Sequence, residues 1–351
     1  MFFIRADGNS YIGMGHIMRC LAIADALAQQ GKEPVFLTSS PESVSFIATR
    51  GFRAELINAS TMDENDGMGS LIQELPELCA FLKKNTDVVL VDSYRATKEY
   101  LLELGKYAKV AYLDDLGQAW PVDLLINYNI YGPRYASLYE KESKKCLLGP
   151  KYMPMRGEFL QKSSYCVTET VKDVMITTGG SDPHLAAKAF AEEFLTDEEL
   201  QKADLRFHIV SGPFNKRVDE LKAALAENKN VFIYENIKSI RELMCRCDVV
   251  LTASGSTIYE VSSVGVPMLT FYFAENQKQG AEELEKIAGV PNCGDFSKDS
   301  QACVRKAVAV LRKLTCDREY REEISRREKV LVDGQGAERV ASELIELEGA
   351  Q

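Results

Sequence analysis

The stretch of residues 5–27, RADGNSYIGMGHIMRCLAIADAL, places a histidine where a glycine-containing loop becomes an amphipathic helix. His16 is one of three histidines in the chain, and it follows Gly13 and Gly15. Imidazole is the side chain whose ordinary pKa lies nearest to neutrality, so it can act as a general base near neutral pH. The first turn of a helix disfavours imidazolium, and glycines let a ligand approach the loop closely. A capping or buried histidine without a chemical role is the alternative interpretation.

A second stretch, TTGGSDP at residues 177–183, has the composition of an anion-binding loop. A predicted strand ends at its glycines, Ser181 and Asp182 can cap a helix, and Pro183 suits the first helical position. Free amides at a helix N-terminus favour an anion, so Gly180 and Ser181 are candidate contacts. A tight, well-capped turn is the alternative.

A third stretch, ASGSTIYE at residues 253–260, also runs from a predicted strand into a helix. Its small residues supply backbone amides and hydroxyls that can converge on one ligand group. These residues are Ser254, Gly255, Ser256 and Thr257. Glu260 lies one helical turn further on, on about the same face. There its carboxylate can accept hydrogen bonds from a ribose diol, or it can be a solvated surface charge. Beyond the next strand, Asn276 and Gln277 can cap a helix or present amides to sugar hydroxyls.

These stretches depend on the strands that precede them, and the hydrophobic pattern alternates strand with helix along most of the chain. The predicted strands cover 2–7, 33–39, 52–57, 87–93, 109–113, 123–127, 145–148, 172–178, 205–211, 230–234, 248–252 and 267–272. The predicted helices cover 15–30, 41–50, 68–84, 97–107, 183–195, 215–227, 239–245, 257–264, 277–288 and 299–314. This α/β alternation predicts mostly parallel sheets with helices on both faces, which bind ligands at the carboxyl ends of their strands.

The chain has 351 residues, more than one hydrophobic core usually holds. The alternation is interrupted at 149–171, a proline- and glycine-containing crossing, and then restarts. We therefore expect two doubly wound, Rossmann-like domains, at 1–160 and 161–316, facing each other across a cleft. A charged helical tail with a glycine-rich break is expected at 317–351.

Composition excludes several classes of partner and site. The net charge is −10 with scattered cations, which argues against a nucleic acid or a membrane surface as the partner. No apolar run approaches about 18 residues, and the first residues read as a strand rather than a signal peptide, so we expect a cytoplasmic protein. Nine cysteines without a C-x-x-C pair predict reduced thiols rather than a metal site. The loop before His16 lacks the dinucleotide fingerprint, so no cofactor is predicted.

The third stretch carries a resemblance. S-G-S-T-x-x-E, followed by G-V-P and N-Q, is similar to the donor-nucleotide half of GT-B glycosyltransferases. The nearest in style is the transferase that adds N-acetylglucosamine to the peptidoglycan lipid intermediate. This resemblance implies a GT-B fold with UDP bound by the second domain. It implies that the uracil lies near Ile237, the diphosphate at Ser181 and Ser256–Thr257, and the ribose at Glu260.

The opening stretch, as R-A-D-x-x-x-x-I-G-x-G-H-x-x-R-C-L, resembles a narrower family, the UDP-2,4-diacetamido-2,4,6-trideoxy-β-L-altropyranose hydrolases of pseudaminic acid synthesis. VVLVDSY, YLDD and LLGPKYMPMRGEF resemble it too, and the matches run from residue 5 to about 277. Members release UDP from the anomeric carbon with inversion and without a metal. The resemblance implies that His16 is the general base and that the two loops stabilise the departing diphosphate. The substrate-contact candidates are Gly13, Gly15, Asp92, Tyr94, Asn276 and Gln277.

Several alternatives stay open at this level. Either Asp7 or Asp92 can orient His16, and Asp114–Asp115 can be a metal site, a substrate contact, or simply a strand end and turn. His208, in an alternating strand, is interpreted as structural. A GT-B glycosyltransferase that uses an acceptor hydroxyl, or a non-catalytic UDP-sugar-binding module, would carry similar stretches. We expect a small-molecule UDP-sugar as partner, and a monomer or a weak dimer.

Overall fold

Two α/β units, each built on one parallel sheet, make up the chain. The computed structural model describes residues 1–9, 14–57, 71–83, 86–161 and 163–350. Unit 1 comprises Met1–Gly157 and Gln335–Gln351, and unit 2 comprises Glu158–Gly334. The chain therefore enters unit 2 once and returns to unit 1 near its end.

Unit 1 contains a seven-stranded sheet of order β3-β2-β1-β4-β5-β6-β7, with all neighbours parallel. The strands are β1 (Phe2–Ala6), β2 (Val35–Thr38), β3 (Arg53–Leu56), β4 (Val88–Asp92), β5 (Lys109–Leu113), β6 (Leu124–Asn127) and β7 (Lys145–Leu148). The helices between them are α1 (Gly15–Gln29), α2 (Pro41–Thr49), α3 (Leu75–Phe81), α4 (Lys98–Leu104) and α5 (Ala136–Tyr139). Strand order reverses between β1 and β4, so their carboxyl ends form the position where such sheets bind ligands.

The central strands of unit 1 are strands because they are apolar enough to be buried on both faces. Every residue of β1, FFIRA, and of β4, VVLVD, is buried. Such near-continuous apolar runs are typical of the middle of a parallel sheet. The burial holds both strands rigidly, and thereby fixes the directions of the side chains that follow their carboxyl ends.

Unit 2 contains a six-stranded sheet of order β10-β9-β8-β11-β12-β13, again with all neighbours parallel. The strands are β8 (Asp173–Thr177), β9 (Arg206–Val210), β10 (Val231–Tyr234), β11 (Val249–Ala253), β12 (Met268–Tyr272) and β13 (Asn292–Asp295). The helices are α6 (Ala186–Thr196), α7 (Glu198–Lys202), α8 (Val218–Leu225), α9 (Ile240–Arg246), α10 (Thr257–Val264), α11 (Glu275–Ala288), α12 (Ser300–Cys316) and α13 (Arg318–Leu331). Here the order reverses between β8 and β11, and both predicted anion-binding loops follow these two strands.

The structure differs from the sequence-based elements in five places. The strand β13 and the short helices α5 and α7 were not predicted. The helix predicted over 68–84 is a 3-10 turn at Leu71–Glu74 followed by α3, with a proline in the first turn of α3. The helix predicted from 183 begins at Ala186, for a reason given with the loop that precedes it.

The predicted tail is shared between the two units. Helix α13 lies in unit 2, where Arg321 and Glu328 are buried. Helix α14 (Gly336–Gly349) lies in unit 1 and packs on α1. The chain thus passes from unit 1 to unit 2 after Gly157 and returns to unit 1 after Gly334, whereas the sequence suggested boundaries near 160 and 316.

The described helices include none that is both long enough and apolar enough to cross a bilayer. All nine cysteines are free thiols in the structure. Cys20 lies on α1 beside the candidate site and is buried.

Glu328 gives the first testable prediction, because its carboxyl group is fully buried on α13. One oxygen accepts a hydrogen bond from the Met268 amide at 3.3 Å, and burial raises the pKa of Glu328 well above its usual range. The folded protein therefore keeps this proton, while the unfolded chain loses it above about pH 4.3. Stability from this group is complete below that pH and is lost as the pH rises toward the folded-state pKa. Glu328→Gln cannot ionise, so it should raise the melting temperature by about 3 °C or more at pH 8 and hardly at all at pH 4.

Thermal unfolding followed by circular dichroism at pH 4, 6 and 8 measures this difference. Glu323→Gln is the matched control on the same helix. Arg326 and Arg327 hold the pKa of Glu323 below its usual range, so its replacement brings no gain at high pH. A Glu328→Gln effect of equal size at pH 4 and pH 8 would contradict the prediction.

Candidate functional site

In unit 1, a polar cluster forms where β1 gives way to α1 and where β4, β5 and β6 end. His16 is the second residue of α1, and Asp92 is the last residue of β4. Asp115 follows β5, and Tyr128 follows β6 directly. Because β1 and β4 are neighbours at the reversal of strand order, His16 and Asp92 meet at the ligand-binding end of this sheet.

His16 and Asp92 form a short hydrogen bond. Nδ1 of His16 lies 2.6 Å from Oδ1 of Asp92, whose side chain is fully buried, while the His16 side chain is 11% exposed. Among the described residues, no group is hydrogen-bonded to Nε2 of His16. The arrangement is that of a base oriented by a carboxylate, with one ring nitrogen bound and the other left available.

Arg19 holds this carboxylate from the other side. It lies one helical turn after His16 and donates from Nε to Oδ2 of Asp92 at 2.6 Å and from Nη2 to Oδ1. Its Nη1 donates to Oδ2 of Asp115 at 2.8 Å and to the hydroxyl of Tyr128. A planar guanidinium suits such double contacts, so one side chain ties together the ends of three strands.

Tyr94 completes the exposed side of the cluster. Its hydroxyl donates to Oδ2 of Asp115 at 2.9 Å, and its ring meets the His16 ring edge-on with centroids 4.8 Å apart. The residue is 50% exposed. Tyr94 is therefore bound at its hydroxyl and open on its ring, as a substrate-contacting residue can be.

The charges of the cluster are fixed by its contacts. Although burial raises the pKa of Asp92, the Arg19 guanidinium and His16 bring it well below its usual range. Burial and the nearby Asp92 raise the pKa of Asp115, but the Arg19 guanidinium lowers it more, so this pKa lies below its usual value. Burial and Asp115 raise the pKa of the Tyr94 phenol. Asp92 and Asp115 are thus carboxylates at neutral pH, and Tyr94 keeps its proton.

The structure separates the two aspartates that could have oriented His16. Asp7 is buried but bonds elsewhere: its Oδ1 accepts from the Ser39 amide at 2.7 Å and from the Thr38 hydroxyl at 2.9 Å, and lies 2.7 Å from Arg5 Nη1. Asp92 therefore orients the ring. Its side chain is fully buried and bonded to His16, and a direct contact of Asp92 with substrate stays a prediction.

The pair Asp114–Asp115 divides in the same way. Asp114 accepts from the Gly117 amide at 2.8 Å, from the Trp120 indole at 3.1 Å and from the Tyr139 hydroxyl, so it holds a turn. Asp115 belongs to the His16 cluster. Within the described ranges, no group of three or more histidine, cysteine or acidic side chains is arranged to hold a metal ion.

The structure offers little support for a special role of the glycines in the opening stretch. Gly15 is the first residue of α1, and a Cβ added there would meet nothing within 4 Å. The packing of the described residues therefore does not require a glycine at this position. Gly13 lies outside the described residues.

In unit 2, the loop after β8 is shaped by Asp182. Its two carboxylate oxygens accept from the amides of Ala186 and Ala187 at 2.8 and 3.0 Å, so the chain turns over Pro183 before α6 begins. Asp182, not Ser181, is the capping residue. Gly180 and Ser181 are exposed ahead of it, which leaves their amides and the Ser181 hydroxyl at the surface of the loop.

The loop after β11 contains the hydroxyl-bearing residues of the third stretch, and these differ in their exposure. The Ser254 hydroxyl is buried and donates to the Phe271 carbonyl at 3.0 Å, so it ties β11 to β12. Ser256 is exposed just before α10, and Gly255 and Thr257 on either side of it are partly exposed. Glu260 is partly exposed one turn into α10.

The remaining predicted contacts surround these loops. Asn276 is exposed and Gln277 partly exposed in the first turn of α11, and Gln277 Oε1 accepts from the Phe273 amide at 3.2 Å. The Gln277 amide nitrogen also lies 4.0 Å from where a Gly255 Cβ would stand. The structure thus brings Gln277 together with the β11 loop. Ile237 is partly exposed in the loop after β10, two strands from β8.

A second prediction concerns Gly212, which follows β9 and packs against the β8 loop. A Cβ at this position would lie 2.1 Å from the Gly179 carbonyl oxygen and 2.5 Å from that of Gly180. Gly212→Ala must therefore displace the Gly179–Gly180 turn, and we expect the free energy of unfolding to fall by about 1–3 kcal/mol. Urea denaturation measures it. The control is Gly280→Ala, where a Cβ would make only ordinary contacts at 3.7 Å or more. Wild-type stability of Gly212→Ala would contradict the prediction.

Sequence reasoning missed three members of the unit 1 cluster, namely Arg19, Asp115 as distinct from Asp114, and Tyr128. A signal for Arg19 was present, because its position three residues after His16 puts both on one helix face. A buried arginine on that face needs carboxylate partners. The acidic residues at the ends of β4 and β5 could have been proposed on that ground.

The two reversed parallel sheets with covering helices, in the order seen here, form a GT-B fold, as predicted. The solved structure of MurG from Acinetobacter baumannii superposes with a TM-score of 0.67 at 14% identity, covering 99% of this chain and 100% of that one. Residues 174–333 match the glycosyltransferase family 28 C-terminal domain. This match covers most of unit 2.

Two curated relatives extend the similarity into unit 1. The chain is 28% identical over 300 residues to the uncharacterized protein MJ1062 of Methanocaldococcus jannaschii, covering 81% of this chain. It spans only 58% of the length of that relative. It is 24% identical over 289 residues to the UDP-2,4-diacetamido-2,4,6-trideoxy-β-L-altropyranose hydrolase of Campylobacter jejuni, covering 80% of this chain and 95% of that protein.

Proposed function

We propose that the chain hydrolyses a UDP-linked diacetamido-trideoxy sugar at its anomeric carbon. UDP and 2,4-diacetamido-2,4,6-trideoxy-L-altrose are then released, the latter for pseudaminic acid synthesis. The observation that carries the proposal is the His16–Asp92 pair, bonded through Nδ1 at 2.6 Å. It is a base suited to a water molecule, at the ligand-binding end of the unit 1 sheet. The Campylobacter jejuni relative, whose similarity covers 80% of this chain, carries the name of that activity.

The proposed reaction is a single displacement. The water oxygen bonds to the anomeric carbon from the face opposite UDP while Nε2 of His16 takes a water proton. The bond from that carbon to the β-phosphate oxygen breaks, and its electron pair leaves with the diphosphate. The configuration at the carbon inverts, and His16 later returns the proton to solvent.

The loops of unit 2 are proposed to bind the UDP. Amides and hydroxyls at Gly180, Ser181, Ser256 and Thr257 would stabilise the departing diphosphate as fixed dipoles. Ile237 is proposed to lie against the uracil and Glu260 to accept from the ribose hydroxyls. The family 28 match over residues 174–333 supports this assignment.

The test is acceptor-free turnover. Purified protein is incubated with UDP-2,4-diacetamido-2,4,6-trideoxy-β-L-altropyranose and no acceptor, and the proposal predicts one UDP released per sugar. NMR spectra at early times should show the inverted anomer of the free sugar. A parallel His16→Asn preparation excludes a contaminating hydrolase. UDP release that requires an added acceptor would overturn the proposal.

A glycosyltransferase is the second candidate, because unit 2 matches a glycosyltransferase domain and MurG shares the fold. In that case His16 takes the proton of an acceptor hydroxyl instead of water. The same experiment separates the two functions, since a transferase releases UDP in quantity only when the acceptor is present.

A further inference from the structure

Nδ1 of His16 has two polar neighbours that demand opposite proton positions. Asp92 Oδ1, at 2.6 Å, can only accept, whereas Arg19 Nη2, at 3.1 Å, can only donate. A proton on Nδ1 satisfies Asp92, and a lone pair on Nδ1 satisfies Arg19. The two neutral forms of the imidazole therefore compete, and only the form with its proton on Nδ1 leaves Nε2 able to accept one.

Arg19 lies closer to Asp92 than to His16, so its donors go to the carboxylate and Nδ1 is left to hold a proton. Its Nε–Oδ2 contact is 2.6 Å, and Nη2 also donates to Oδ1. These bonds keep Asp92 ionised and turned so that Oδ1 faces Nδ1. The shorter contact, from Nδ1 to the ionised carboxylate, is the one expected to hold the proton.

Arg19 also provides the positive charge that balances the carboxylates beside His16. One guanidinium contacts two carboxylates, Asp92 and Asp115, whose side chains are 0% and 10% exposed. Among the described residues, the other titratable groups of the cluster are Tyr94, which keeps its proton, Tyr128, which accepts from Arg19, and Cys20, which donates to Asp92 at 3.4 Å. Without Arg19, the imidazole would be the cation nearest to two ionised carboxylates, a setting that favours imidazolium.

We propose that Arg19 is a positioning residue that keeps the proton of neutral His16 on Nδ1 and so leaves Nε2 free as the base. The chemical meaning of this arrangement rests on the proposed function. The position of the proton does not, and it can be measured without substrate.

The experiment is a pH titration of protein labelled with 15N-histidine. The chain has three histidines, so the ring signals are few, and the His16→Asn spectrum assigns them. In the wild type, neutral His16 should show a protonated Nδ1 and an unprotonated Nε2. In Arg19→Met, the midpoint of the His16 titration should rise by about one pH unit or more. Arg19→Lys, which keeps the charge but not the planar fork, should raise it less.

Arg5→Met is the matched control. Arg5 is fully buried in the same unit and forms two bonds to Glu74, at 2.6 and 2.8 Å. Its loss should destabilise unit 1 without moving the His16 midpoint. The proposal is overturned if neutral wild-type His16 carries its proton on Nε2, a measurement that needs no variant. It is also overturned if folded Arg19→Met, or Arg19→Lys where Arg19→Met does not fold, titrates like the wild type.

These measurements stand apart from the assay of UDP release. A protein with the expected proton on Nδ1 but no acceptor-free turnover would keep the Arg19 inference and reject the hydrolase. Acceptor-free turnover with a proton on Nε2 would do the reverse.

Discussion

His16→Asn is expected to lower kcat for UDP release by about 10²–10⁴-fold while leaving UDP affinity within about twofold of the wild type. The carboxamide has no basic nitrogen, and general-base catalysis contributes a factor of this size. The loops proposed to bind UDP lie in unit 2, whereas His16 lies in unit 1, so nucleotide binding should survive. Initial rates of UDP release give kcat, and isothermal titration with UDP gives Kd.

His208→Asn is the control for the loss of a histidine as such. Both ring nitrogens of His208 are engaged, with the Tyr234 hydroxyl at 3.0 Å and with Asp173 at 2.7 Å, as expected for the structural histidine predicted from the sequence. Its replacement should lower the melting temperature and leave kcat per folded molecule nearly unchanged. A His16→Asn protein with more than about a tenth of wild-type kcat would contradict the base role. So would a defect confined to UDP affinity.

The sheet strands around the site were predictable because they are long apolar runs. The predicted strands 2–7 and 87–93 are found as Phe2–Ala6 and Val88–Asp92. Central parallel strands are buried on both faces, so composition alone marks them. The strand β13, with the sequence NCGD, has no such mark. It is a strand because β12 lies beside it, which is tertiary context that a local pattern does not contain.

The partners within the site were harder to predict than its location. Asp7 and Asp92 both lie at the carboxyl end of an apolar strand, and nothing in the sequence says which one meets His16. Strand order and the direction of each side chain decide it, and both arise from tertiary packing. The neighbours Asp114 and Asp115 illustrate the same limit, because consecutive residues leaving a strand point to opposite sides. One holds a turn, and the other binds Arg19.

The sequence does not show when a polar group in a predicted ligand-binding loop has a hydrogen-bond partner within the fold. Ser254 reads as a loop hydroxyl in the sequence, yet it donates to the Phe271 carbonyl across two neighbouring strands. Asp182 similarly caps α6 through two amides. Buried polar groups take hydrogen-bond partners wherever the fold offers them, and those partners are distant in sequence.

Asp92→Asn is expected to reduce kcat by about 10³-fold or more, although it changes a single buried atom. Two groups, Arg19 Nε and Cys20 Sγ, donate to Oδ2, whereas Arg19 Nη2 alone donates to Oδ1, so the amide oxygen is expected to occupy the Oδ2 position. The NH₂ group then faces Nδ1 of His16 and donates to it. The imidazole must move its proton to Nε2, where it can no longer accept one from water, an effect of wrong tautomer known to cost about this factor in other enzymes.

The matched control is Asp114→Asn, at a carboxylate of equal burial after the neighbouring strand β5. Asp114 holds the turn through the Gly117 amide and the Trp120 indole, so its replacement should lower the melting temperature and spare kcat. Comparing kcat with the His16 ring signals tests the mechanism in one protein, because the loss of rate and the move of the proton to Nε2 must appear together. Asp92→Asn with wild-type kcat would reject the orienting role. A lost kcat with the proton still on Nδ1 would require another cause, since the base would then remain correctly formed.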